Sequence, residues 1–221
     1  MELHFFPGQK LLLALRLTGN NKITVAGRYE AWSGPATGGT DPRMPEEPTW
    51  PGEYIIAKAK VYLTPSWKLS GIKWGTPLKD MPEKDDVWYR VNPSTWASVK
   101  KDHQISRKDI IRLHFGLYQI RTVPATWVFN DFGPVVIMWF EDHNNNKKLD
   151  GNETLSGQFF HTTPENEAQT SANLPITFKN SHGCIHLNPK DRNTLFSSGF
   201  FNPGTPFIIH SYYERYLEKP L

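Results

Sequence analysis

The chain has 221 residues, 38% hydrophobic, 21% charged and 13% aromatic with eight Trp, a globular composition that excludes a disordered or coiled-coil protein. Its 25 basic and 22 acidic residues leave a net charge of +3, too balanced for a nucleic-acid binder, which would show a basic stripe. Cys184 is the one cysteine, so an intramolecular disulfide and a zinc site built on several thiolates are both excluded.

The length fits one domain with a large insertion or one domain plus a small appendage, and buries a core without disulfide staples. The longest apolar stretch, Leu11-Leu12-Leu13-Ala14-Leu15, is far short of the ~20 residues a transmembrane helix needs. No basic n-region or small-residue cleavage site marks a signal peptide. The expectation is a protein without a transmembrane segment, whose signal has been removed or whose export reads none.

Strand character starts with Lys10–Thr18, Ile23–Trp32 and Glu53–Leu63, rich in Leu, Ile, Val, Tyr and Trp and split by turn signals at Gly19-Asn20-Asn21 and Gly34-Pro35. Gly38 to Pro51 is a long Pro/Gly-rich loop, the kind that is functional or mobile. From Thr64 to Asp109 turn residues are dense, which predicts an irregular insertion or lid with one short helix near Ser94–Lys101. Strands are expected again at Ile110–Ile120, Ala125–Phe129, Val135–Glu141 and Thr154–His161. Asn188 as N-cap and Pro189 at the first helical position predict a helix through Ser197. The tail adds a strand at Pro206–His210 and a short amphipathic run, Tyr212–Glu218. The fold class read from this pattern is mainly β with short helices, one domain over residues 1–221 with an irregular insertion at about 64–109.

The segment Ser181-His182-Gly183-Cys184-Ile185-His186-Leu187-Asn188-Pro189 carries the chemistry. Gly183 lets the backbone turn sharply before the cysteine and approach a ligand closely. Ile185 and Leu187 alternate as in a strand with one buried face. Cys184 is thus expected at a tight turn near a helix entry, where main-chain amides are available to an oxyanion. A thiol needs a base or a positive field to act as a nucleophile at neutral pH. His161 ends a strongly β segment and is followed by Thr162-Thr163-Pro164, so a strand can deliver it beside the cysteine turn. His182 lies two residues before Cys184 and shares its side of an extended segment. Against this stand the ordinary readings, a buried inert cysteine and a hydrogen-bonded structural histidine.

The stretch from His161 to Asn188 resembles the L,D-transpeptidase (YkuD-type) catalytic signature, a His followed after a variable connection by Ser/Thr-His-Gly-Cys and an apolar residue. Thr49-Trp50-Pro51-Gly52-Glu53-Tyr54 resembles the Thr-Pro-x-Gly loop of that family and follows a Ser33-Gly34 turn. Three departures stand out: the His161–Ser181 connection is longer than usual, Thr162 replaces a common Gly, and His186 stands where Arg is frequent.

The resemblance implies an L,D-transpeptidase-like β-sandwich or barrel acting on peptidoglycan stem peptides. Cys184 would attack the carbonyl on the L-centre side of an L–D bond in a tetrapeptide stem, forming a thioester and releasing D-Ala. His161 would take the thiol proton, held by the Thr162 carbonyl. The amides of Gly183 and Cys184, with His182 nearby, would form the oxyanion hole, and Ser181 would support the turn. An amine acceptor gives a cross-link, a D-amino acid gives exchange, and water gives L,D-carboxypeptidase activity. No cofactor is required for this chemistry, and its place is the periplasm or cell wall. A variant is an antibacterial effector delivered into another bacterium, with a secretion or immunity partner. A different class is a non-catalytic, calcium-dependent wall-binding module with Cys184 buried.

That last class rests on residues 142–153, which follow a calcium-loop pattern: Asp142, Asn144, Asn146, Lys148, Asp150 and Glu153 fall at positions one, three, five, seven, nine and twelve. Position six is Lys147 where such loops need Gly for the sharp turn. A structural calcium ion, pinning the loop that leads to His161, is weighed against a solvated Asn-rich turn.

Overall fold

The computed structural model describes residues 1–19, 22–39 and 46–217. In chain order its elements are β1 (Glu2–Phe6), β2 (Leu11–Leu17), β3 (Ile23–Trp32), β4 (Gly52–Lys60), β5 (Leu78–Met81), β6 (Asp86–Asn92), β7 (Thr95–Ser98), α1 (Val99–His103), α2 (Arg107–Tyr118), β8 (Val136–Phe140), β9 (Leu155–His161), α3 (Pro164–Ser171), β10 (Ile185–Leu187), α4 (Pro189–Ser197) and β11 (Pro206–Ile209). The mainly β class expected from the sequence is what the chain adopts. Asn20-Asn21 of the expected turn, residues 40–45 of the expected loop and Glu218 of the expected tail run lie outside the described residues.

Contacts divide the chain into two compact units. The first comprises Met1–Ala59, Ile137–His161 and Thr177–Leu221. Eight strands close there into a barrel in the order β1-β11-β4-β8-β9-β10-β3-β2, a closure that leaves no open sheet edge. Alternation decides which side chains fill it. Leu3 pairs with Phe207 and Ala14, and Phe160 stands between Ile137 and Ile185. All six are fully buried. The rings of Trp139, Phe160 and Phe207 meet at centroid separations of 4.8 to 5.2 Å, tilted or edge to face. Each such side chain contributes about 1.5–3 kcal/mol by leaving water. With Phe160 and Ile185 turned inward, the period of two turns Phe159, His161 and His186 to the opposite face. β1, absent from the sequence reading, pairs parallel to β11 and antiparallel to β2.

The second unit comprises Lys60–Val136 and Thr162–Ile176. Its centre is a cluster of Ile72, Val87, Val99, Ile105, Ile110, Trp127 and Phe129, with the Trp127 indole N–H donating to the Leu69 carbonyl at 2.9 Å. The stretch expected to be irregular forms a three-stranded antiparallel sheet, β5-β6-β7, closed by α1. The expected strand Ile110–Ile120 is instead helix α2. Ser106 and Asp109 form a reciprocal capping box, and Ile110, Leu113, His114 and Leu117 recur at helical spacing on the core side. The expected strand Ala125–Phe129 makes a single bridge, Thr126 to Pro77, in which the Trp127 amide donates to the Thr76 carbonyl at 2.8 Å and the Leu78 amide to the Ala125 carbonyl at 2.9 Å. The long connection after His161 holds α3, with Thr163 as N-cap and Pro164 in its first turn.

Candidate active site

β9 and β10 run parallel, with Phe160 beside Ile185 and His161 beside His186. Cys184 immediately precedes Ile185, so continuing the register sets it opposite Phe159, on the face that carries His161 and His186. The rings of His161 and His186 meet edge to face with centroids 4.6 Å apart, and both residues are buried. Trp32 stands next in register on β3, stacked on Phe178 at 6.1 Å. His186 also reaches the Lys179 carbonyl through Nδ1 at 3.2 Å. Cys184 is partly exposed and His182 exposed to solvent.

The turn before the cysteine is held from several sides. Gly183 has φ +97°, and a Cβ there would lie 2.3 Å from Gln158 Nε2; only glycine fits. Thr49, completely buried, donates from its hydroxyl to the Gly183 carbonyl at 2.7 Å. The Thr49 amide donates to the Tyr212 hydroxyl at 2.9 Å, and that hydroxyl donates to the Gly34 carbonyl at 2.6 Å. Gly34 itself has no room for a side chain, since a Cβ would fall 1.6 Å from the Glu47 carbonyl oxygen. The Ser181 amide donates to the Ser33 carbonyl at 3.3 Å, and the Ser181 hydroxyl donates to the Cys184 carbonyl. Gln158 ties in the preceding loop, accepting from the Trp50 amide at 3.0 Å and donating to the Pro48 carbonyl at 2.9 Å.

The residues that sequence reasoning singled out thus separate into groups. Ser181, Gly183 and Cys184 form one turn, His161 shares the outward face of β9 and β10, and His182 lies on the solvent side of the turn. Thr162 is fully buried, and its hydroxyl donates to Glu167 at 2.5 Å. Gln158 and Tyr212 were missed. A lone amide side chain at the head of the aromatic run Gln158-Phe159-Phe160-His161 was the available signal for the first; Tyr212, 28 positions after Cys184 by residue number, offered none.

Burial pushes the Cys184 thiol up to about 12, while a hydrogen bond from the Phe159 main chain favours the thiolate. Partial exposure of the residue and strong desolvation of its sulfur coexist here, and the direction follows from the low polarisability of the packed surroundings. At neutral pH the Cys184 thiol is therefore protonated. Neither the Gly183 nor the Cys184 amide donates among the loop, turn and cap hydrogen bonds of the described residues.

Residues 142–153 form the connection between β8 and β9. The amides of Lys147, Asn146 and Lys148 donate to the side chains of Asp142, Asn144 and Asn146 at 2.9, 3.0 and 2.7 Å. Asn144 and Asn146 donate to Asp150 at 2.9 and 2.8 Å, and Glu153 accepts from the amides of His143 and Asp150. Lys147 adopts φ +59°, the left-handed conformation that position six requires. Among the described residues no group of three or more His, Cys, Asp or Glu side chains stands ready to hold a metal ion.

Comparison with known proteins adds a family. The model of the YkuD family, L,D-transpeptidase catalytic domain, matches residues 14–209. Among solved structures the chain is similar to one described as the structure of Bdellovibrio bacteriovorus Bd1075, at 15% identity and a TM-score of 0.40, over 95% of this chain and 47% of that chain. The chain therefore spans about half the length of that protein. No curated protein matches.

Proposed function

Because the chain belongs to the YkuD family of L,D-transpeptidase catalytic domains, we propose that it is a cysteine acyltransferase acting on peptidoglycan tetrapeptide stems, with Cys184 as nucleophile and His161 as base. The observation that carries this reading is the parallel pairing of β9 and β10, which sets both residues on one face beside a glycine turn.

The sulfur of Cys184 attacks the carbonyl on the L-centre side of the L–D bond while His161 takes its proton. The carbon–sulfur bond forms, the carbon–nitrogen bond to D-Ala breaks, and the proton passes from His161 to the departing amine. The thioester is then attacked by an amine of a second stem, a free D-amino acid or water, with His161 accepting the proton; the new carbon–nitrogen or carbon–oxygen bond forms, the carbon–sulfur bond breaks, and the proton passes from His161 to the departing Cys184 sulfur. These outcomes are cross-linking, exchange and L,D-carboxypeptidase activity. A neutral resting thiol suits this scheme, since deprotonation coupled to attack avoids a desolvated anion. The substrate sets the place of action at the cell wall, and an effector delivered to another cell, with a secretion or immunity partner, would use the same chemistry. Among the described residues no helix is long and apolar enough to cross a membrane.

The test is the product profile of purified muropeptides incubated with the protein. Tetrapeptides are expected to convert to cross-linked dimers, exchanged stems or tripeptides, and the Cys184→Ala variant to leave them intact. Tetrapeptides unchanged by the wild type would sink the reading.

A second reading, the calcium-dependent wall-binding module, is favoured by the groove in which His143 and Asn152 of the 142–153 loop stand with Trp50, an indole 45% exposed. The left-handed Lys147 and a buried Asp142 oxygen without a hydrogen-bond partner support a structural calcium ion in that loop. Pull-down on purified sacculi with calcium and with chelator tests it; retention independent of calcium counts against it.

A further inference from the structure

The peptide linking Gly183 to Cys184 is planar and trans, so its carbonyl and the Cys184 N–H point in opposite directions. Whatever fixes that carbonyl therefore aims that N–H. In this fold the carbonyl is fixed by a side chain 134 residues away in sequence, the hydroxyl of Thr49, at 2.7 Å. Resting on the acyl-transfer reading above, we infer that Thr49 is a positioning residue that aims the Cys184 amide at the oxyanion of the acylation step.

Three observations converge on Thr49. It is completely buried, so its hydroxyl is spent on the Gly183 carbonyl and not on solvent. Its own backbone is held in turn, its amide donating to the Tyr212 hydroxyl at 2.9 Å while that hydroxyl donates to Gly34 at 2.6 Å. The peptide it holds lies next to a glycine with φ +97°, a residue that lacks the steric restraint a side chain would give its own backbone. A glycine at this point lets the turn form but leaves the plane of the following peptide loosely determined. The Thr49 hydrogen bond supplies the missing restraint. Ser181 does the same one peptide later, donating to the Cys184 carbonyl. The two hydroxyls thus fix successive peptide planes around the sulfur, and Thr49 governs the one whose N–H is available.

Alkylation by iodoacetamide displaces iodide from carbon and develops no oxyanion, whereas acylation by a carbapenem opens the lactam through a tetrahedral oxyanion. A residue that aims an oxyanion donor affects the second reaction alone. Thr49→Val keeps the shape and removes the hydroxyl, while Thr49→Ser keeps the donor. With Thr49→Val, carbapenem acylation of Cys184 is expected to slow by ~10²-fold, with iodoacetamide labelling within about twofold of wild type and Thr49→Ser recovering most of the loss. Tyr212→Phe, which loosens Thr49 without touching Gly183, is expected to give a smaller loss of the same selective kind and serves if Thr49→Val does not fold. Equal slowing of both reactions would make Thr49 a support of the sulfur and overturn the assignment, as would unchanged acylation. A wild-type protein that alkylates but is acylated by neither carbapenem nor tetrapeptide would instead remove the acyl-transfer reading, and the role of Thr49 with it.

Discussion

His186 stands directly beside His161 on neighbouring parallel strands, its ring edge to face with that of the histidine and its Nδ1 tied to the Lys179 carbonyl. The pair is buried, and the ring of His186 packs against that of His161. Replacing it with Ala is expected to cost turnover of tetrapeptide by on the order of 10-fold or more, since small misplacements of a reacting group are expensive. Single-turnover acylation separates this from a binding defect: the rate at saturating substrate should fall. An unchanged rate would mean that His186 does no positioning.

The raised Cys184 pKa has a consequence for stability. A thiol held protonated in the folded state up to about 12, against an ordinary 9.0, leaves the unfolded chain binding fewer protons across that interval. Stability therefore falls as pH rises between those values, by at most about 1.4 kcal/mol per pH unit from this group, and is unaffected by it below the lower one. Denaturant melts of wild type and Cys184→Ala should diverge as pH climbs through this window, with the variant losing less. Parallel curves would show that the sulfur is not desolvated.

Gly183→Ala is expected to destabilise the protein by about 2–4 kcal/mol through strain and crowding, because the position is left-handed and a Cβ there would meet Gln158. Trimming Gln158 to Ala in the same chain relieves the crowding and leaves the strain, so it should restore only part of the melting temperature. Full restoration would show that the backbone conformation is not what demands glycine.

In the second unit, Ser106→Ala removes a cap that serves both the Asp109 amide and, through the Asp109 carboxylate, the Ser106 amide. The expected loss is about 0.5–2 kcal/mol, read by urea denaturation, with Ser106→Asp retaining most of the stability. A loss no larger than that of an exposed surface substitution would remove the cap from the account.

For the 142–153 loop, millimolar calcium is expected to raise the melting temperature, by an amount equivalent to about 2.7 kcal/mol at a hundred times the dissociation constant. Asp142→Asn combined with Glu153→Gln should erase the shift. No shift in the wild type would leave the loop as the hydrogen-bonded turn its side chains already make.

What the sequence disclosed followed from local rules. Strands at Ile23–Trp32 and Thr154–His161 showed as apolar and aromatic runs, and the helix after Asn188 as a cap followed by proline; β3 and α4 have these bounds, and β9 starts one residue later, at Leu155. Its failures came where a local pattern was ambiguous. Ile110–Ile120 reads as β-branched and aromatic, yet the Ser106–Asp109 box and a core on one side make it a helix. β5 to β7 are short, and their turn residues hid them. At the candidate site, the turn at Cys184 was legible because Gly183 and Cys184 are adjacent. The supports of that turn were not, since Thr49, Gln158 and Tyr212 reach it from distant strands and loops, and pairing at such separations leaves no periodic trace.

Parallel neighbours cannot be joined by a hairpin, so the chain must leave the end of β9 and travel back before it starts β10. That return trip, residues 162 to 184, accommodates α3 and the stretch after it without disturbing the ladder that sets His161 against His186. The distance along the chain between His161 and Cys184 is thereby decoupled from the pairing of the strands that carry them. Evolution or an engineer can lengthen, shorten or rebuild the return segment while the register of the two strands, and with it the placement of His161, stays as it is.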